Sequence, residues 1–156
     1  MADVMPGGCQ CSRVRYEVEI ASDAADWCHC RMCQKATGGI AAAFVEVGGA
    51  VAWLSPPDWY DSSPVAHRPF CSACGTPLGF SWKDGAEGSD LTVGSFDDPS
   101  RFRPVAHSGA ENLHEAWLDT RALPRHLSAT ALPRHLSATT DSVAKRWQAA
   151  GLDVTE

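Results

Sequence analysis

Seven cysteines in three close groups are the residues of this sequence whose type and spacing could do chemistry. They are Cys9 and Cys11 (C-x-C), Cys28, Cys30 and Cys33 (C-x-C-x-x-C), and Cys71 and Cys74 (C-x-x-C). Because the number is odd, at least one thiol lies outside any set of internal disulfides. In a cytosolic protein, where thiols stay reduced, such groups indicate metal binding or catalysis.

The two outer groups predict a closed zinc site. Zinc takes four ligands in tetrahedral geometry, at about 2.3 Å to sulfur. Two close pairs far apart in sequence, Cys9 with Cys11 and Cys71 with Cys74, supply such a set, and Gly75 is expected to take a positive φ in the following turn. Metal binding there would contribute directly to folding. The alternative is that these four are buried apolar cysteines or redox thiols.

The middle group predicts an open metal site. Cys28, Cys30 and Cys33 lie within one short loop and can face one point, and three protein ligands leave the fourth zinc position for water or substrate. Three thiolates and one dication sum to a charge of about −1, which makes water activation less favoured than at a zinc held by neutral histidines. Holding an incoming thiol as its thiolate is the chemistry that this charge favours.

Three other interpretations of this loop stay open. His29 could complete a closed four-ligand site, or the cysteines could hold an iron–sulfur cluster. They could also form a redox switch that binds no metal. Each of these would make the group something other than a catalytic zinc site.

Composition and charge restrict the class of protein. The chain has 156 residues, 44% of them hydrophobic and 21% charged, which fits one ordinary domain with a core. Its formal charge of −6, without a cluster of Lys and Arg, argues against nucleic acid or anionic lipid as a partner. The longest apolar stretch, 38–45, is too short to cross a membrane, and the N-terminus lacks the pattern of a secretory signal. We therefore expect a cytoplasmic protein without nucleic-acid or membrane partners.

Periodicity and turn residues predict a mainly β fold. Apolar and charged residues alternate over 14–20, which is typical of a strand with one buried face. Further strands are predicted at 41–47, 51–54, 79–82 and 91–95. A helical turn is expected over 34–37, ending at Gly38, and a short C-terminal helix from Asp141 to about Ala150.

A tandem duplication marks the C-terminal part of the chain. Residues 122–130, ALPRHLSAT, are repeated without change at 131–139. One extra copy of so short a unit does not make a repeat architecture, and its prolines would interrupt a helix. We therefore interpret 1–119 as the zinc-binding domain and 120–156 as an appended tail, and expect no functional role for the duplication.

The cysteine groups and their neighbours resemble the glutathione-dependent formaldehyde-activating enzyme family. The matching segments are 7–11 (GGCQC), 14–17 (VRYE), 28–33 (CHCRMC), 70–76 (FCSACGT) and 92–99 (TVGSFDDP). The resemblance covers roughly residues 6–117. It departs at Ser12, where the family usually has glycine, and after Trp117.

This resemblance implies a β-tent-like fold with two zinc sites. It implies a structural zinc at the two outer cysteine groups and a catalytic zinc at Cys28, Cys30 and Cys33. The implied reaction is addition of glutathione to formaldehyde, giving S-hydroxymethylglutathione, and it is classed as a carbon–sulfur lyase reaction. The partners are then a small thiol and an aldehyde, with glutathione as co-substrate. The second zinc site could be only partly occupied, since glutathione competes for the metal.

Other aromatic and polar residues could contribute to a ligand site. Four tryptophans are expected mainly in the core, and three histidines at the surface or with satisfied hydrogen bonds. These are Trp53, Trp59, Trp82 and Trp117, and His67, His107 and His114. Basic residues near the cysteines could meet the carboxylates of glutathione. They are Arg13, Arg15, Arg31 and Lys35. The sequence Asp97-Asp98-Pro99 is interpreted as a turn.

Three functional hypotheses follow. The first is a zinc-dependent carbon–sulfur lyase-type enzyme that adds a small thiol, glutathione by the resemblance, to an aldehyde such as formaldehyde. The second is a non-catalytic, zinc-stabilised binding module. The third is a thiol redox or metal sensor, in which Cys28, Cys30 and Cys33 oxidise or exchange metal.

Overall fold

Ten strands and one α-helix, in the part of the chain that the structure describes, build the first of two units. The computed structural model describes residues 3–85, 88–125 and 149–151, and the two units are Met1–Trp117 and Leu118–Glu156. The strands are β1 (Val4–Gly8), β2 (Arg15–Glu19), β3 (Ala24–Cys28), β4 (Ala42–Val47), β5 (Ala52–Ser55), β6 (Asp58–Ser63), β7 (Ala66–Phe70), β8 (Gly79–Trp82), β9 (Ser89–Thr92) and β10 (Arg103–Ser108). The helix α1 is Arg31–Thr37. The mainly β prediction is thus confirmed.

The strands form two sheets. One has three strands in the order β1-β2-β5, and the other has seven in the order β10-β3-β4-β9-β8-β7-β6. Every neighbouring pair is antiparallel except β10 and β3, which run parallel and place Ser108 opposite Cys28. The middle cysteine group therefore begins at the end of a strand that is hydrogen-bonded on both sides.

The strand predicted over 14–20 is confirmed as β2, with one further residue on each side of it. Val14, Tyr16, Val18 and Ile20 are all buried, and they belong to the main hydrophobic core. The hydroxyl of Tyr16 lies 2.8 Å from Oγ of Ser95, so a polar group in this core is satisfied.

Three of the other four predicted strands are confirmed as β4, β5 and β8. The strand predicted at 91–95 is wrong in its second half, because β9 ends at Thr92 and Val93–Ser95 form a 3₁₀ turn. The hydroxyl of Ser95 donates to the carbonyl oxygen of Thr92 at 2.8 Å, which stabilises this turn against an extended conformation.

Five strands were not predicted from the sequence: β1, β3, β6, β7 and β10. β10 is exposed at all six positions and contains Pro104, so it has neither alternation nor high strand propensity. It lies at one edge of the seven-stranded sheet, and β6 lies at the other. Pairing with a neighbouring strand, and not the local sequence, places such segments in the sheet.

The helix α1 begins earlier than the predicted turn and ends at Gly38, as expected. Cys30 is its N-cap residue, and Cys33 lies in its first turn. The duplicated segment beyond residue 125, and the predicted C-terminal helix apart from residues 149–150, lie outside the described residues. Within the described ranges, no helix has the length and apolar character required to cross a membrane.

Candidate metal centres and active-site cleft

The two outer cysteine groups come together as a four-sulfur cluster. The Sγ atoms of Cys9, Cys11, Cys71 and Cys74 all lie within 4.8 Å of one another. The sulfur–sulfur distance is 3.6 Å between Cys9 and Cys11 and 3.8 Å between Cys11 and Cys71. In a tetrahedron with zinc–sulfur bonds of about 2.3 Å, the sulfur–sulfur edge is about 3.8 Å. Four thiols at this spacing could therefore hold a zinc ion.

Tight turns position these thiols. The amide of Val14 donates to Sγ of Cys9 at 3.2 Å, as backbone amides do at metal-binding thiolates. On the other side, the amide of Gly75 donates to the carbonyl oxygen of Cys71 at 2.7 Å. Gly75 has a φ of 78°, so the positive φ predicted for it is confirmed.

Asp58 connects the two halves of the four-sulfur cluster, a role that no sequence pattern predicted. Its Oδ2 accepts hydrogen bonds from Nη1 and Nη2 of Arg13, at 3.0 and 2.9 Å. The same oxygen accepts from the amide of Ser72 at 3.1 Å. Arg13 follows the first cysteine pair, and Ser72 lies between the members of the second. The hydrogen bonds of Ser72, followed by the charge of Arg13, lower the pKa of Asp58.

The pKa values of these thiols indicate that a cation is needed before all four can ionise. Burial raises the pKa of Cys74, but hydrogen bonds from Thr76 outweigh it and lower that pKa to about 6. A backbone hydrogen bond from Arg13 lowers the pKa of Cys11, but the Cys9 side chain and burial together raise it to about 11. Neighbouring thiolates repel one another, so all four thiols ionise together only when a metal ion compensates their charge.

The middle cysteine group forms a second cluster with an open side. The Sγ atoms of Cys28, Cys30 and Cys33 lie within 4.8 Å of one another. Sγ of Cys30 also accepts a hydrogen bond of 3.4 Å from the amide of Cys33, as the N-cap of α1. All three residues line a cleft of about 1200 Å³. A three-sulfur cluster facing open space could hold a metal ion and leave room for one further ligand.

The three thiols of this cluster differ in acidity. Burial raises the pKa of Cys28 to about 12. Burial also raises the pKa of Cys33, although a hydrogen bond from Arg68 acts in the opposite direction. For Cys30 burial raises the pKa, but hydrogen bonds from the Cys33 amide and the neighbouring thiols outweigh it, and the net shift is downwards. Cys30 is therefore the thiol of the three that loses its proton most readily, and a cation is needed for all three to ionise.

Arg68 on β7 is the functional residue that sequence reasoning missed most clearly. It is only 4% exposed, and its Nη2 donates to Sγ of Cys33 at 3.3 Å. Its guanidinium lies 4.9 Å from the centroid of the Phe80 ring, in a cation–π contact. Its Nε has no hydrogen-bond partner among the described residues. A buried cation thus faces the three thiols, at a position 35 residues away from Cys33 in the sequence.

The loop between Cys28 and Cys30 is fixed from outside the cluster. The amide of His29 donates to the carbonyl oxygen of Ser108 at 2.7 Å. Nε2 of His29, a residue 1% exposed, lies 2.8 Å from Nδ1 of His107. The structure therefore directs the His29 ring to His107 and does not bring it into the sulfur cluster, contrary to the interpretation of His29 as a fourth ligand.

Gly109, directly after β10, packs against the same loop. It has a φ of 63°, and a Cβ added there would lie 2.7 Å from the amide nitrogen of Cys30 and 3.0 Å from its Cα. Only glycine fits so close to the backbone at the N-cap of α1. The positive φ and the tight approach both depend on tertiary packing, so the sequence carried no signal for this role.

The four basic residues that the sequence suggested as contacts of glutathione do not line the cleft; they are Arg13, Arg15, Arg31 and Lys35. Arg13 is bound to Asp58, and Arg15 forms an ion pair of 2.5 Å with Asp97. The structure therefore gives no support to the idea that these residues meet glutathione's carboxylates beside the three thiols. Asp98 caps the 3₁₀ turn Pro99–Arg101 through its side chain, so the turn predicted there is confirmed.

The tryptophans are less buried than expected. Trp53 packs against the main core, but Trp59, Trp82 and Trp117 are exposed, so the core assignment was wrong for these three. Trp82 instead lines the cleft. Its ring packs edge-on against Phe80, with the centroids 5.0 Å apart. One of the candidate aromatic residues therefore belongs to the site.

The three histidines outside the cysteine groups have different surroundings. His107 is hydrogen-bonded to His29, as described above. His67 lies against the ring of Trp59, with the centroids 4.3 Å apart, and His114 is exposed. None of the three lines the cleft. The expectation of surface or satisfied histidines is therefore confirmed for His107 and His114.

Comparisons with known proteins give a family and a fold. A crystal structure of a Rhodobacter sphaeroides protein is similar to this chain with a TM-score of 0.54 and 22% identity, over 67% of this chain and 100% of that one, which shows the fold alone. No curated protein matches the chain significantly. The family model described as glutathione-dependent formaldehyde-activating enzyme matches residues 4–112, a span that includes all seven cysteines. The chain therefore belongs to the glutathione-dependent formaldehyde-activating enzyme family.

Proposed function

We propose that this protein is a zinc-dependent carbon–sulfur lyase-type enzyme, which adds a small thiol such as glutathione to an aldehyde such as formaldehyde. The observation that carries the proposal is the three-sulfur cluster of Cys28, Cys30 and Cys33 at the wall of a cleft of about 1200 Å³. A closed four-sulfur cluster elsewhere can stabilise the fold, so the open cluster is not required for that purpose.

Both clusters suit zinc by their donor chemistry and spacing. Cys28, Cys30 and Cys33 would hold the catalytic ion, and the two outer cysteine groups would hold the structural one. Sulfur atoms within 4.8 Å of one another meet the requirement of a tetrahedral thiolate site. Zinc at the open site would supply one kind of chemistry, the stabilisation of a substrate thiolate at neutral pH.

Arg68 compensates the charge of the open site. Three thiolates and a dication sum to about −1, and the buried guanidinium beside Cys33 brings the total near zero. The hydrogen bond from Nη2 to Sγ also draws electron density from that sulfur. A site without net charge can accept an incoming thiolate with less repulsion than an anionic one.

Apolar side chains lie beside the thiols. Phe44 belongs to the same buried cluster as Cys33, and Phe80 packs against it together with Cys28 and Cys30. In such surroundings the contact between Arg68 and Cys33 is stronger than it would be in water.

The reaction needs no oxidant or reductant. A sulfur–carbon bond forms while the π bond of the carbonyl opens, and the carbonyl oxygen takes up a proton in exchange for the one that the thiol loses. The chain's own part is to bind both reactants in contact and to hold the charge of the thiolate.

Metal content and one substitution test the proposal. We expect about two zinc ions per chain in the wild-type protein and about one in Cys30→Ser, measured by elemental analysis after purification without chelator. Serine is itself a favoured N-cap, so α1 should form normally in the variant. Exchange between free and glutathione-bound formaldehyde, followed by NMR, should be accelerated by the wild-type protein only. Full activity in Cys30→Ser would contradict the proposal.

The same preparations distinguish the two alternatives. A non-catalytic binding module predicts that the second metal is fully bound and that glutathione does not change its occupancy. A redox sensor predicts a disulfide among the three middle cysteines under mild oxidant. The open cleft beside these thiols favours the enzyme over the redox sensor, because a sensor does not require space for a ligand beside its thiols. Seven free thiols suit a reducing compartment, so we also propose a cytoplasmic location.

A further inference from the structure

The cleft beside the three thiols has an apolar wall that formaldehyde does not use. Phe44 and Phe80 lie next to the cysteines, and Trp82 extends the wall from Phe80. Ala25 and Val65 belong to the same lining. A pocket with mostly apolar lining and few polar groups is typical of sites that bind an apolar part of a ligand.

Large apolar side chains are exposed around this cleft. Val65 is 60% exposed and Val105 is 67% exposed, and Met32 and Trp82 are exposed as well. Apolar surface in water is unfavourable by about 25 cal/mol per Å². A concave surface made of such side chains is therefore expected to bind the apolar part of a ligand. Formaldehyde carries only hydrogens on its carbon and has no apolar group with which to cover these side chains.

Charged side chains are few along the cleft. Among the described residues that line it, Asp26, Glu46 and Asp90 are acidic, and Arg68 is the one cation. Nη2 of Arg68 is already bound to Cys33, and Oδ1 of Asp26 is buried without a hydrogen-bond partner. A carboxylate that lay along the apolar wall would lose its hydration there.

On the basis of the proposed function, we infer that the aldehyde taken by this site carries an uncharged apolar chain or ring, which binds along the wall formed by Phe80, Trp82 and Val65. The chemistry is the same addition: the thiol's sulfur bonds to the carbonyl carbon, the carbonyl π bond opens, and the proton lost by the sulfur is balanced by one gained by the oxygen. The apolar tail contributes binding energy at a distance from the reacting atoms.

A series of aldehydes tests this inference. The zinc-loaded full chain would be assayed with glutathione and formaldehyde, propanal, butanal, pentanal or glyoxylate, with the rates corrected for hydration of each aldehyde. We expect kcat/KM to rise about fourfold per added methylene along the chain series, which is ~0.8 kcal/mol per buried methylene converted at 1.4 kcal/mol per tenfold change. Glyoxylate should react more slowly than propanal.

Two matched variants test whether the dependence on chain length arises at the cleft wall. Val65→Asp places a charge in the cleft wall, and Leu54→Asp places one at a residue of similar exposure, 65%, that does not line the cleft. In Val65→Asp the ratio of kcat/KM for pentanal to that for formaldehyde should fall at least tenfold. In Leu54→Asp this ratio should not change. Zinc content and circular dichroism would be compared to verify that both variants fold.

The outcomes separate this inference from the function on which it rests. If formaldehyde is converted but the rate does not rise with chain length, or Val65→Asp leaves the ratio unchanged, the inference is overturned and the proposed function stands. Preference for glyoxylate would also overturn it. If the zinc-loaded protein converts no aldehyde at all, the proposed function is overturned, and the inference with it.

Discussion

Nη2 of Arg68 donates a hydrogen bond of 3.3 Å to Sγ of Cys33 within the protein interior. Both residues are buried, and the guanidinium also lies over the ring of Phe80. A buried cation needs a partner of opposite charge, and a thiolate of the three-sulfur cluster can be that partner. The contact therefore connects the charge state of the cluster to a strand outside the cysteine motif.

Replacing Arg68 by Met should weaken metal binding at the three-sulfur cluster by about 10- to 100-fold, as loss of groups that support metal ligands does elsewhere. The reason is that Cys33 loses its compensating charge while it remains buried. Competition with a coloured zinc chelator would measure the zinc affinity of each of the two clusters. Arg68→Lys keeps the charge but loses the planar contact to Phe80. Its zinc affinity at the three-sulfur cluster should therefore lie between those of the wild type and Arg68→Met. Arg101→Met, which removes a surface arginine paired with Asp3 and Asp23, is the control. Unchanged affinity in Arg68→Met would disprove the role.

Gly109→Ala should disturb the three-sulfur cluster, since the new Cβ would lie 2.7 Å from the amide nitrogen of Cys30. We expect the variant to lose zinc from that cluster and keep it at the four-sulfur cluster. Gly85→Ala is the matched control, because Gly85 also has a positive φ, 66°, but has no atoms within 4 Å of the added Cβ. Both variants should be destabilised by about 1 kcal/mol through backbone strain, and only the first should change metal content.

The sequence was informative where local chemistry decides the structure. The spacing of the cysteines grouped them into the two clusters that the structure forms. The alternation around Tyr16 predicted β2 and its buried face, and Gly75 was correctly given a positive φ. The strand and the turn depend on neighbouring residues alone, and the two outer cysteine pairs were joined because zinc requires four ligands. The β-tent arrangement implied by the family resemblance stays a prediction.

The residues that complete the site depend on contacts between distant segments. Arg68 lies on a strand that was not predicted, and it acts on a thiol 35 positions earlier in the chain. Gly109 follows an exposed edge strand that becomes part of the sheet by parallel pairing with β3. Trp82 was assigned to the core because large aromatic residues usually lie there, but it lines a cleft. No periodicity or motif encodes such contacts.

Asp58→Asn should lower the melting temperature of the zinc-loaded protein, because Asp58 holds Arg13 and Ser72 on opposite halves of the four-sulfur cluster. The pKa of Asp58 in the folded protein lies below its ordinary value of 3.8. The contribution of its charge is therefore complete above that value and is lost only as the pH falls through the folded pKa. The difference in melting temperature between wild type and variant should thus stay constant from about pH 6 to about pH 8.

The neighbouring Asp61 provides a control for this prediction. It lies on the same strand, opposite His67 on β7, and its carboxylate forms an ion pair of 2.8 Å with Lys83. Asp61→Asn should leave the melting temperature nearly unchanged, as is usual for an exposed ion pair. An equal loss of stability in both variants would mean that Asp58 acts as an ordinary surface carboxylate.

Ser12→Gly should stabilise the protein. Ser12 is the single residue other than glycine with a positive φ in the described part of the chain, 63°, and its amide donates to the carbonyl oxygen of Cys9 in the turn that carries Cys11. A residue with a Cβ is strained in this conformation by about 1 kcal/mol, and glycine is not. The melting temperature of the zinc-loaded variant should rise by about 2–4 °C. Ser12→Ala retains the Cβ and should give no such increase. If Ser12→Ala stabilised the protein as much as Ser12→Gly, the hydroxyl and not the backbone conformation would be the source of strain beside this site.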